Sequence, residues 1–191
     1  MLVLCAALAL GSAPAEAHLN ATGMGPVYDG VVHFITSPED FVPALALALF
    51  AGLRGADYGR RALFTLPAAW FLGVLAGSTA ALASVGPLWT ALLFVALGAL
   101  VVADAKLSLA VMTALCALLG LGHGYLNGSG LGLSASSVVV ALGLAAAVFV
   151  VTVLVAAFVV SLRADWARIA VRVAGSWIAA SGVLMLGWAM R

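Results

Sequence analysis

Six apolar segments, each close to the length of a membrane-spanning helix, account for most of this 191-residue chain. A helix needs about 20 mainly apolar residues to cross the hydrocarbon core of a bilayer. The chain is 65% hydrophobic and 8% charged, whereas a soluble domain has about 25% charged residues. The sequence therefore predicts an all-α integral membrane protein. Its six transmembrane helices are expected at about 38–53, 62–83, 87–103, 107–122, 137–162 and 167–189.

The first 17 residues resemble a cleaved signal peptide. "MLVLCAALALGSAPAEA" has a short apolar core and ends in the small-residue pattern of a cleavage site, although it lacks a basic start. Cleavage after Ala17 would leave His18 as the first residue, where a terminal amine and an imidazole can chelate a metal together. The alternatives are a chance residue at the cleavage point and an uncleaved short anchor. Residues 18–36 then form an extracytoplasmic segment, and residues 37–191 form the helical bundle.

The basic residues predict the orientation, because cytoplasmic loops of membrane proteins are rich in Lys and Arg. If the first span runs from outside to inside, seven of the eight basic residues lie on the cytoplasmic side and only Arg191 lies outside. We therefore expect both ends of the mature chain to lie outside. The Ala, Gly, Leu and Val bias is typical of a GC-rich bacterial genome and suggests the bacterial inner membrane. The seven inner residues are Arg54, Arg60, Arg61, Lys106, Arg163, Arg168 and Arg172.

The same orientation collects acids and histidines on the outer side of the membrane. All three histidines lie there, together with half of the acids of the mature chain. Imidazole suits nickel, zinc, copper and iron, and carboxylates widen that range. This face therefore predicts a weak, open site for a divalent cation. The candidate ligands are His33, His123, Asp40, Glu39, Asp29 and His18.

Each part of this candidate site also has a purely structural interpretation. In "SPED", Ser37 suits a helix N-cap, Pro38 the first helical position, and Glu39 and Asp40 the positive end of the helix dipole. These acids are then only a helix start. A carboxylate in a first turn at the mouth of a helix bundle can nevertheless bind a cation as well.

The two internal histidines leave similar alternatives open. "GPVYDGVVHFI" is compatible with a short interfacial or re-entrant helix from Pro26, on which Asp29 and His33 share a face and the carboxylate orients the imidazole. His123 lies between two glycines in "GLGHGYLNGSG". It is either a ligand that approaches another helix or a cationic residue at a glycine-closed helix C-terminus.

These motifs resemble those of the HupE/UreJ family, small bacterial membrane proteins regarded as secondary permeases for nickel or cobalt and linked to hydrogenase or urease maturation. The family signature H-P-x-x-G-x-D-H corresponds to "HFITSPED", in which His33 matches the first His. Glu39 stands where the family has Asp, and Asp40 replaces the final His. The family's H-G-x-x-H-G corresponds to "HGYLNG", in which His123 matches and Asn127 replaces the second His.

The resemblance implies a divergent member in which two imidazoles have become oxygen ligands, so the site is harder or less selective. The expected function is inward transport of a divalent transition-metal ion, without a tightly bound cofactor. A non-transporting accessory protein for a urease- or hydrogenase-type enzyme is the alternative. We expect no enzymatic activity, because an intramembrane hydrolase would lack a clear general acid or base. The expected partners are the lipid bilayer and the divalent ion, and a homo-oligomer is an alternative assembly. The net charge of +1 does not indicate nucleic-acid binding.

Overall fold

The computed structural model describes residues 22–79, 86–131 and 134–190. The proposed signal peptide and His18 lie outside this range. In the described ranges every regular element is an α-helix, which confirms the all-α prediction. The helices are α1 Pro26–Thr36, α2 Pro38–Arg54, α3 Ala56–Gly77, α4 Pro87–Ala103, α5 Leu109–Ser129, α6 Ala135–Ser161 and α7 Asp165–Ala189.

By length and composition, three of these helices are able to cross a membrane: α5, α6 and α7. The pair α1 and α2 passes the same test together, but it is bent by 75° at its junction, so it adds at most a fourth candidate. Helix α4 is apolar and shorter. The prediction of six spans therefore stays a prediction, although each predicted span corresponds to one helix from α2 to α7.

The bend between α1 and α2 follows from the local sequence. Pro38 is the first residue of α2, and a residue before proline is pushed out of the helical region. Ser37 is extended, with φ −97° and ψ 99°, at the N-cap position of α2, but its side chain makes no capping hydrogen bond. The short helix predicted to begin at Pro26 is present as α1. Because the chain bends between the two helices, the C-terminal residues of α1 lie beside the first turn of α2.

Helices α3 and α5 approach each other closely through glycine. The small residues of "GVLAG" at Gly73 to Gly77 predict a face on which helices approach closely. The structure confirms this face, because a Cβ atom at Gly73 would lie 2.5 Å from the Leu121 carbonyl oxygen. On α5, Gly124 and Gly128 face the α3 backbone in the same way. Glycine lets two backbones come this close because it has no side chain in the interface.

This packing also explains an error in the sequence-based boundaries. We expected the helix to end near Gly122, but α5 continues to Ser129. Glycine weakens an isolated helix, yet here Gly124 and Gly128 contact α3 and the helix continues through them. The glycine-closed helix end at His123 is therefore wrong, and His123 lies inside a helix.

Helix α2 connects the two ends of the bundle. Helices α4 and α7 pack on each other, and both contact α2. At the C-terminus of α2, Arg54 is 3.4 Å from the Asp104 carboxylate, and Arg168 is 3.6 Å from it. Asp40 lies in the first turn of α2, 14 residues before Arg54, which corresponds to about 21 Å along the helix axis. Asp40 and the Arg54–Asp104 pair are thus at opposite ends of α2.

Candidate metal-ion site

Asp40 is a buried carboxylate in the first turn of α2. Its side chain is 3% exposed, and its oxygens contact His33 from α1 and His123 and Asn127 from α5. We name these four residues the Asp40 cluster. A buried carboxylate is costly unless it is paired or hydrogen-bonded, and within the described residues no Lys or Arg pairs with Asp40. Its charge is therefore balanced only by imidazole and amide groups, which leaves it suited to a cation.

His123 makes the shorter of the two imidazole contacts. Its Nδ1 lies 2.9 Å from Asp40 Oδ1, and an ionised carboxylate can only accept, so Nδ1 donates. The other nitrogen, Nε2, is buried and has no hydrogen-bond partner in the described residues. A histidine that ligates a metal commonly has a carboxylate on its other ring nitrogen, and His123 has this carboxylate on Nδ1 and an unpartnered Nε2.

His33 lies on the other side of the carboxylate. Its Nε2 is 3.5 Å from Asp40 Oδ2, and its side chain is 14% exposed. This distance is that of an ion pair or a loose contact rather than of a well-formed hydrogen bond. His33 is therefore held less firmly than His123, and it is the more accessible of the two imidazoles.

Asn127 and Trp70 fix the remaining side of Asp40. Asn127 Nδ2 donates to Asp40 Oδ2 over 2.9 Å, and Trp70 Nε1 donates to Asn127 Oδ1 over 3.1 Å. Because the indole can only donate, it fixes which end of the Asn127 amide faces the carboxylate. The Trp70 ring also packs on His123, with 5.3 Å between the ring centres. Trp70 thus holds two members of the Asp40 cluster at once.

The other candidate ligands lie elsewhere. Asp29 was expected to orient His33, but its carboxylate accepts from the backbone N–H and the hydroxyl of Thr22, at 2.6 and 2.7 Å. The partner of His33 is Asp40 instead. Glu39 and Asp40 both lie in the first turn of α2, as the interpretation as a helix start expects. Glu39 is exposed and Asp40 is buried. His18 lies outside the described residues.

The cluster is hydrogen-bonded rather than arranged around an ion. Among the described residues, no group of three or more His, Cys, Asp and Glu side chains has a geometry that could hold a metal ion. The two imidazoles contact different oxygens of Asp40. A bound ion would have to replace at least one of these contacts.

Sequence reasoning assigned a different role to Asn127 and none to Trp70. The family resemblance implied that Asn127 is an oxygen ligand in place of a His, whereas its Oδ1 accepts from Trp70 and its Nδ2 donates to Asp40. Tryptophan in membrane proteins usually lies at the water interface. Trp70 lies well inside a predicted span and is fully buried, and that unusual position was the available signal.

The Trp70→Phe variant is expected to lower the free energy of unfolding by about 1 to 2 kcal/mol, because it removes the donor to a buried amide while keeping an aromatic ring. Trp177→Phe is the matched control, since Trp177 is 73% exposed and its change is expected to be within about 0.5 kcal/mol. Denaturant titration in detergent micelles measures both. If the two variants lose the same free energy of unfolding, the role assigned to the Trp70 N–H group is wrong.

The comparisons with known proteins agree with the motifs. The family model described as "HupE / UreJ protein" matches residues 6–185. No curated protein and no solved structure gave a match. The family is associated with nickel or cobalt transport and with accessory roles for urease or hydrogenase. Because the match spans nearly the whole sequence, the chain belongs to the HupE/UreJ family.

Proposed function

We propose that this protein is a secondary permease that moves a divalent transition-metal ion, nickel or cobalt in type, across the bacterial inner membrane. The observation that carries the proposal is the buried Asp40 carboxylate, which has two imidazole neighbours and, in the described residues, no Lys or Arg partner. Ionisable groups at membrane depth are costly and often mark ion routes. The proposed topology has six spans after a signal peptide, with both ends outside.

The charges around the cluster favour entry of a cation from the outer side. Glu39 is exposed in the same helical turn as Asp40, so negative charge extends from the surface to the buried carboxylate. An inside-negative membrane potential contributes about 2.3 kcal/mol per elementary charge per 100 mV. A divalent ion would therefore gain about 4.6 kcal/mol per 100 mV on moving inward. This drives uptake without nucleotide hydrolysis.

The residues of the Asp40 cluster would have different roles in binding the ion. His123 Nε2 is the free nitrogen, and Asp40 keeps that ring in place through Nδ1. His33 is loosely held, so it can leave Asp40 and bind the ion with little loss. Imidazole nitrogen suits nickel. A site with so few protein ligands would release its ion readily, as transport requires.

The accessory role is the second candidate. The observation in its favour is that the described residues contain no preformed group of three metal ligands. An accessory protein would bind a metal or a partner protein and would move no ion across the bilayer. Uptake measurements separate the two.

The test is uptake of Ni, Co, Zn, Cu and Mn into proteoliposomes. We expect saturable uptake of Ni or Co, and an initial rate about tenfold lower in each of His33→Ala and His123→Ala, because each removes one ligand. Asp29→Asn is the matched control, since that carboxylate contacts Thr22, and it is expected to keep the wild-type rate. If no ion enters faster than into empty liposomes, the permease proposal is wrong and metal binding without flux would support the accessory role.

A further inference from the structure

A cavity lies at the other end of the bundle from the Asp40 cluster. It has a volume of about 380 Å³ and lies between the first turns of α3 and the start of α5. That volume is in the range of small-molecule sites. Its lining is Asp57, Arg60, Arg61, Phe64, Thr65 and Leu109. These helices are in close contact along their length, so the cavity walls belong to a rigid pair.

The charge in this cavity is unbalanced. Asp57 forms an ion pair with Arg60, three residues later on α3. Arg61 is exposed, and within the described residues it has no carboxylate partner. One guanidinium is therefore left to bind an anion. Guanidinium groups bind phosphate oxygens through two parallel hydrogen bonds.

The cavity also changes from polar to apolar along α3. Phe64 follows the two arginines by about one turn and is 66% exposed. Leu109 forms the opposite wall from α5. An exposed phenylalanine next to an arginine pair is suited to a ligand with a charged head and an apolar tail. A free anion would use the arginines but not the apolar wall.

We infer that this cavity binds an anionic phospholipid, whose phosphate contacts Arg61 and whose acyl chain lies against Phe64 and Leu109. The inference goes beyond the proposed transport. It requires only that this end of the bundle faces the headgroup region of the membrane, as the distribution of basic residues predicts. A lipid held there would tie α3 to α5, the two helices that carry Trp70, His123 and Asn127.

The test is native mass spectrometry of the purified full chain, incubated with phosphatidylglycerol and phosphatidylcholine of identical acyl chains. Wild type is expected to retain phosphatidylglycerol in preference. Arg61→Gln is expected to lower that retention about fivefold, the effect of one arginine near anionic lipid. Arg163→Gln is the matched control, because Arg163 is also exposed and basic but does not line the cavity. Because Arg163 does not line the cavity, Arg163→Gln is expected to retain phosphatidylglycerol as wild type does.

Three results would overturn the inference. Equal retention of the two lipids would show that binding does not depend on the charge of the headgroup. An equal loss in Arg163→Gln would show diffuse attraction rather than a site. Displacement of phosphatidylglycerol by excess inorganic phosphate would show a site for the free anion. None of these outcomes depends on whether metal ions are transported, so the two proposals fail separately.

Discussion

Replacing Asp40 by Asn is expected to reduce metal-ion uptake into proteoliposomes by about 100-fold, the upper end of the range for loss of a group that supports a metal ligand. The variant keeps the shape of the side chain but removes the charge that attracts the cation. It also leaves one acceptor oxygen where His123 and Asn127 now both donate. One of these donors loses its partner, so both the charge and the orientation of the cluster change.

Glu39→Gln provides the control for this measurement. Glu39 is the adjacent acid in the same helical turn, and it is exposed. Its neutralisation removes an equal charge from the surface, so we expect uptake within about twofold of wild type, as charge screening by salt predicts. Equal losses of uptake in the two variants would show that only the net charge at this end of the bundle matters, and would contradict a specific role for Asp40. Size-exclusion profiles would identify a variant that fails to fold.

Gly124→Ala is expected to lower the free energy of unfolding by about 3 kcal/mol or more, which is the upper end for overpacking in a core. A Cβ atom at this position would overlap the carbonyl oxygen of Trp70 and lie 3.0 Å from the Val74 backbone nitrogen. Both obstacles are backbone atoms, so no side-chain rotation relieves the overlap. Helices α3 and α5 would have to separate, and Trp70 would move away from Asn127. We expect uptake to fall together with stability.

Gly122→Ala is the matched control on the same helix. A Cβ atom there has no neighbour within 4 Å. Alanine is a better helix former than glycine, by about 0.8 to 1.0 kcal/mol in an exposed helix interior. We therefore expect Gly122→Ala to be neutral or slightly stabilising in thermal or denaturant unfolding. If Gly124→Ala is equally harmless, the close approach of α3 and α5 is not the native packing.

Much of the fold follows from the sequence because its signals are local or are summed over long segments. Apolar segments of near-spanning length predicted the helices, and the small residues Gly73 and Gly77 predicted a close helix contact. The H-x₆-D segment from His33 to Asp40 and the His123 motif indicated the family. The boundary of α5 was wrong because a local rule, that glycine ends helices, was overridden by packing against α3.

The candidate site was only partly predictable, because it is built from residues far apart in the chain. His123 and Asn127 are 83 and 87 residues from Asp40, and Trp70 is 57 residues from Asn127. Nothing in their spacing indicates that they meet. The 75° bend at Ser37 brings the end of α1 beside the start of α2, which places His33 at Asp40.

By itself, the sequence determined the class of protein, the helices and the residue types gathered toward one end, because composition and short motifs carry that information. Only the tertiary structure decided which acid is buried. Glu39 and Asp40 are neighbours with nearly the same chemistry, but successive residues on a helix point about 100° apart. That rotation turns Asp40 toward His33, His123 and Asn127 and leaves Glu39 in solvent. The direction depends on how α2 packs against α1 and α5, which is a property of the assembled bundle.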